Sequence, residues 1–172
     1  MKQRISIRQL TLFAILGAVM FAGKMAMAAL PNIEPVSLMV MLLAVCFGWK
    51  GLYAVAVYVL LEILVWGFDL WSITYLYVWP LLFMAAYFLR NMKTPLEWAM
   101  LSGFFGISFG ALCEIPYWIT GGWGAAVSGW IAGIPWDLTH GAGNFVMALL
   151  LFMPLRKLLT GLMKEFHFPL EL

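Results

Sequence analysis

Lys24, Glu34, Glu62, Asp69, Glu114 and His140 are the ionisable side chains that could act on a ligand within or beside the apolar stretches of this 172-residue chain. Ionisable groups at membrane depth are costly, so they face a cavity or pair with one another. Lys24 has two readings: a lysine snorkelling to headgroups, or a cation aimed into a cavity at a substrate or a carboxylate. Glu62 and Glu114 are either site residues or structural partners of Lys24 and other polar neighbours. Asp137, His140 and Asn144 are spaced three and four residues apart and share one helical face. Asp137, just after Pro135, reads as the cap of its helix, while His140 and Asn144 fit a stripe that contacts ligand. Trp66, Trp71, Trp118 and Trp136 lie close to these residues in sequence. Aromatic walls carrying a few polar groups are what a small-molecule site needs.

The chemistry expected is therefore binding. There is no nucleophile elbow, no paired-histidine zinc motif and no phosphate-binding glycine loop. His140 has no second His or Cys at metal-ligand spacing, so neither a metal nor a resident cofactor is expected. Cys46 and Cys113 sit inside apolar runs and read as buried, inert thiols. Two other classes compete with a binding protein. One is an intramembrane enzyme using Glu62, Glu114 or His140 as acid or base; the other is an assembly protein whose polar residues hold a bundle together.

The elements that position these residues follow from composition. A mean hydropathy of +0.96, with 65% hydrophobic and 10% charged residues, excludes an ordinary soluble domain. No continuous basic face for nucleic acid is present. Segments of about 20 apolar residues cross a bilayer, and six fit: about 10–29, 36–47, 52–66, 73–89, 96–118 and 138–155. The expectation is one all-α integral membrane domain over 1–172, with six transmembrane helices. The stretch 119–136, rich in Gly and Trp, reads as a loop with a short interfacial helix. A basic start followed by an apolar run resembles a signal peptide, but Lys24 interrupts that run before Ala26-Met27-Ala28, so a retained first helix is expected.

Charge orients the bundle. Lys2, Arg4, Arg8, Lys50, Arg90, Lys93, Arg156, Lys157 and Lys164 fall in termini or turns on one side, and Lys24 is the exception among the basic residues. Lys and Arg mark cytoplasmic loops, so both termini are expected in the cytoplasm. Most acidic residues and seven of the nine tryptophans, Trp79 included, gather at the outer side; Trp49 and Trp98 sit at the inner one. An interfacial aromatic belt would decorate both sides. The excess suggests ligand walls, roofed by the loops that carry Asn32 and Glu34, Trp66, Asp69 and Trp71, and Glu114 and Trp118.

Small residues mark where helices meet. Ala14, Ala18 and Ala22 recur every four residues on the first span, and Gly103, Gly106 and Gly110 line the fifth. Such strips allow close approach of another helix. The glycines read as packing within the bundle, whereas the alanine strip on a terminal helix could equally face a partner protein.

Six spans in fewer than 200 residues, the Ala14-x-x-x-Ala18 strip, Leu30-Pro31-Asn32-Ile33-Glu34-Pro35-Val36, and the run from Gly133 to Phe145 (GIPWDLTHGAGNF) resemble one family across the whole chain. It is the substrate-binding S components of energy-coupling factor (ECF) vitamin transporters. The resemblance implies a non-catalytic subunit that captures a micronutrient in an outward cavity. It then associates with a membrane T component and two cytoplasmic ATPases and topples to release cargo inside. Ala14 and Ala18 match the family's alanine motif and would contact the T component, with Ala22 extending the strip. The chain looks closest to cobalamin-type S components, and the outer aromatics and glycine-rich 119–136 suit a large ligand. Cobalamin is the expected cargo, with a queuosine precursor as the alternative.

Overall fold

The computed structural model describes residues 5–165. Lys2 and Arg4, two of the basic residues assigned to the cytoplasmic side, lie outside that range. All regular structure among the described residues is helical. The helices are α1 (Ile7–Ala26), α2 (Val36–Phe47), α3 (Leu52–Trp66), α4 (Leu70–Phe88), α5 (Pro95–Cys113) and α6 (Ile115–Glu165), with a 3-10 turn at Gly48–Gly51 between α2 and α3.

Local chemistry sets the helix starts. Ser6, Asp69 and Thr94 each accept a hydrogen bond from the backbone N–H three residues on, closing reciprocal capping boxes with Gln9, Ser72 and Glu97. Pro95 then occupies the first turn of α5, where its missing N–H costs nothing. Between α2 and α3, Gly48 turns the chain with φ of 54°, a region open to glycine and closed to most side chains.

Five helical stretches are long and apolar enough to cross a membrane: Ile7–Ala26, Val36–Trp66, Leu70–Phe88, Pro95–Cys113 and Ile115–Glu165. Leu64, Met100, Phe104 and Leu150 are each more than 60% exposed, a surface that hydrocarbon solvates and water does not. Val36–Trp66 counts as one stretch because α2 has only 12 residues and α3 only 15. At about 1.5 Å per residue, each is shorter than the roughly 30 Å hydrocarbon core. Helix α2 is the centre of the bundle, with all residues except Met39 buried. It packs on α4 and α6, and such a helix can be short because protein rather than lipid surrounds it.

Contacts along the helices give the chain direction. Phe13 stacks on Tyr53, Gly17 lies against Ala54 and Val57, and Lys24 reaches Glu62, so α1 and α3 run parallel. Helix α2 returns antiparallel to both, starting where Ser37 meets Asn144 and ending at the 48–51 turn. Helices α5 and α6 form a long antiparallel hairpin. The basic turns gather at one end: Trp49 packs on Tyr87 at 4.6 Å, Arg90 covers the Tyr87 ring, and Arg156 donates to the Met92 carbonyl.

Several expectations are corrected. The 119–136 segment is helical rather than a loop. Helix α5 gives way to α6 at Glu114, the only break inside α6 is Gly122 (φ 80°), and the helix then runs without interruption through Asp137. Asp137 is therefore an interior helical residue and caps nothing. Helix α1 ends at Ala26, before Pro31, because the chain already turns at Met27. Trp79 is fully buried between Tyr58, Tyr75, Phe105 and Phe109, and Trp98 stacks on Phe152 at 4.1 Å in the core, so neither ring is exposed at a surface as a belt residue would be. The glycines of α5 do pack inside the bundle, on Asp137, Gly141 and Phe145 of α6. Cys46 and Cys113 are both buried.

Candidate functional site

At the end opposite the basic turns, the C-terminal ends of α1, α3 and α5, the N-terminal end of α4 and the middle of α6 surround a cavity of about 880 Å3. The 27–35 segment lines one side of it. Asn32 holds that segment in place: its backbone adopts a left-handed conformation (φ 55°), which asparagine tolerates, and its side-chain amide donates to the Trp136 carbonyl at 3.2 Å.

Ten of the twelve candidate site residues line this one cavity: Lys24, Asn32, Glu34, Glu62, Trp66, Asp69, Trp71, Glu114, Trp136 and His140. Two do not. Trp118 lies near the tip of the α5–α6 hairpin, half exposed and packed edge-on against Trp123. Asn144 shares the helical face of His140 but sits one turn deeper, fully buried, where its amide donates to Ser37 Oγ at 3.0 Å. It ties α6 to α2 beneath the cavity. Sequence reasoning also missed lining residues. Asp137, Tyr75 and Phe109 reach the cavity, as does Trp130, one of the seven tryptophans assigned to the outer side. For Asp137 the signal was present, because it shares a face with His140.

The polar lining divides by what each group already holds. Lys24 Nζ donates to Glu62 Oε2 at 2.7 Å and to Tyr75 OH at 3.2 Å, so the lysine is paired inward rather than extended to headgroups. Asp69 caps α4 and accepts from Ser72. Asp137 Oδ1 accepts from the Gly110 N–H at 2.9 Å. The Glu114 carboxylate rests against Gly129, where a side chain would meet it. Burial raises the Glu34 carboxyl to about 7, with Lys24 lowering it and Glu62 raising it. Three buried atoms on the lining have no hydrogen-bond partner among the described residues: Glu62 Oε1, Asp137 Oδ2 and His140 Nε2. His140 Nε2 stands 4.0 Å from Glu34 Oε1, beyond hydrogen-bonding distance, and its ring meets Phe109 edge-on at 4.8 Å.

Comparison with known protein families, with curated proteins and with solved structures finds no match to this chain. The geometry therefore speaks for itself. Among the described residues no group of three His, Cys, Asp or Glu side chains is arranged to hold a metal ion. Acceptors, aromatic faces and one neutralised cation around an open volume can bind and orient a small molecule.

Proposed function

We propose that this chain is the substrate-capturing S component of an energy-coupling factor type importer. It is a six-pass protein of a prokaryotic cell membrane with both termini in the cytoplasm. It binds a vitamin-class micronutrient in an outward cavity and passes it on through a T component and two ATPase subunits. The chain itself catalyses nothing. The observation that carries this reading is the convergence of polar and aromatic residues from α1, α3, α4, α5, α6 and the 27–35 segment on one cavity, opposite the basic turns. Pockets of about 300–1,000 Å3 enclose most of a drug-sized ligand. Cobalamin is the cargo we favour, with a queuosine precursor as the alternative.

Helix α1 supports the partner assignment. Gly17 turns inward to within contact of α3, while Ala14, Ala18 and Ala22 are exposed on the outward face. A small-residue strip without a covering helix suits docking of another membrane helix. Ala14→Trp and Ala18→Trp are expected to leave ligand affinity unchanged and to abolish uptake in cells that hold the T component and ATPases. Uptake at the parental rate would remove the docking role. For the capture role itself, calorimetric titration of the purified chain against vitamins and nucleobases is expected to give at least one sub-micromolar ligand. Failure of every compound to bind would sink it.

A further inference from the structure

Between Glu114 and Asp137 the chain holds no Asp, Glu, Lys, Arg or His, but it holds Trp118, Trp123, Trp130 and Trp136. This run forms the tip of the α5–α6 hairpin. Gly122 (φ 80°) turns the chain there, and Trp118 meets Trp123 edge-on at 5.9 Å. The rest of the described chain leaves the tip uncovered: Ile119 is 78% exposed and Trp123 70%.

The tip continues a surface that hydrocarbon solvates lower down. On α6 the exposed residues Leu150, Val146, Leu138, Ile134, Ile131 and Trp123 follow one another at intervals of three, four or eight, which makes one helical stripe. Phe104, Ile107, Ile115 and Trp118 repeat that spacing along the other limb. Neither stripe carries a charged side chain. Length then decides where the tip can lie. Arg156, bonded to the Met92 carbonyl, marks the basic end of α6. From there to Trp123 the helix climbs about 50 Å at about 1.5 Å per residue. An upright helix would leave the roughly 30 Å hydrocarbon core near Trp136 and carry the tip beyond a bilayer of about 40–45 Å, headgroups included. An inclination of about 25–35°, within the range that spans adopt, keeps the whole stripe inside. Uncharged apolar surface is unfavourable in water, whereas tryptophan rings settle at the headgroup boundary.

We propose that the hairpin tip, residues 115–131, is embedded in the headgroup and upper acyl layer of the leaflet opposite the basic turns. It is the end of two inclined spans and does not stand in water. Its partner is lipid and not a second copy of the chain, because the stripe is unbroken from mid-span to tip: what covers the span covers the tip. The other face of the same hairpin, with Gly129, Gly133 and Trp136, walls the cavity, which therefore opens at headgroup depth.

Spin-label depth on the full chain in phosphatidylcholine–phosphatidylglycerol nanodiscs tests this. Single cysteines replace Ile119 and Ile131 on the two limbs, Leu150 in mid-span and Asn91 in a basic turn. Cys46 and Cys113 are buried, and the parent chain gives their background. Oxygen partitions into lipid and a nickel chelate stays in water. The oxygen-to-nickel relaxation ratio at Ile119→Cys and Ile131→Cys is expected to exceed that at Asn91→Cys by about threefold or more and to approach that at Leu150→Cys. A ratio equal to that at Asn91→Cys places the tip in water, and shielding from both reagents places it against protein. Either result overturns the proposal and leaves ligand capture intact. Trp123→Phe serves should a cysteine variant fail to fold. It is expected to reduce tryptophan quenching by dibrominated phosphatidylcholine and to leave quenching by iodide unchanged; the reverse pattern overturns the proposal.

Discussion

Lys24→Met is expected to destabilise the chain by about 2–4 kcal/mol, and Lys24→Met combined with Glu62→Gln to recover most of that loss. The argument starts from depth. Glu62 has a side chain only 8% exposed, and its charged partner among the described residues is Lys24 at 2.7 Å. Removing one member of a buried pair strands the other charge, a cost of about 3–5 kcal/mol. Lys24 is itself 25% exposed, so solvent screening trims the figure. The substitution also takes a donor from Tyr75 OH. Neutralising Glu62 in the same chain removes the stranded charge, so the two losses are strongly non-additive. Thermal unfolding of the four purified proteins in one detergent closes the cycle. Equal midpoints for the parent and Lys24→Met would mean that the lysine reaches headgroups and leaves Glu62 alone.

That pair also shows how much of the molecule was legible beforehand. A lysine and a glutamate inside apolar runs stand out because their burial is costly, so the sequence singles out both. Their contact depends on α1 and α3 running parallel in a register 38 residues apart in sequence, which no local pattern encodes. The stripe of Asp137, His140 and Asn144 is similar. Helical spacing puts the three on one face but says nothing of depth. The cavity takes Asp137 and His140 and stops above Asn144, which bonds Ser37 instead. Tyr75 and Phe109 escaped notice because aromatic residues in apolar runs look alike whether they face lipid or ligand.

Glycine was the least legible signal. The 119–136 segment holds Gly121, Gly122, Gly124, Gly129 and Gly133, a density that reads as a loop. Only Gly122 breaks the helix. Gly129 makes room for the end of α5 instead, since a side chain there would collide with the Glu114 carboxylate. In this chain glycine more often makes room for a partner helix than bends the backbone. The glycines of α5 were readable in those terms because their spacing repeats on one face, and they pack as that spacing implies.

The second large effect follows from this packing: Gly106→Ala is expected to cost at least about 3 kcal/mol, more than a methyl group normally does. An added Cβ would lie 2.7 Å from Gly141 Cα and 2.8 Å from its N. Both are backbone atoms, so no rotamer change relieves the clash. Overfilling a close-packed interior costs about 1–3 kcal/mol even where side chains can adjust; here α5 and α6 must separate. That separation reaches the cavity directly, because Gly110 holds Asp137 one turn above and His140 borders the same contact. Ligand affinity should therefore drop at least tenfold together with the unfolding midpoint. Gly161→Ala is the matched control. Its added Cβ would meet nothing within 4 Å, on an exposed helical position. Lower backbone entropy of the unfolded chain should make that substitution neutral or stabilising by about 0.5–1 kcal/mol. If Gly106→Ala unfolds with the parent, α5 and α6 do not meet at this point, and the wall that carries Asp137 and His140 is held by other contacts.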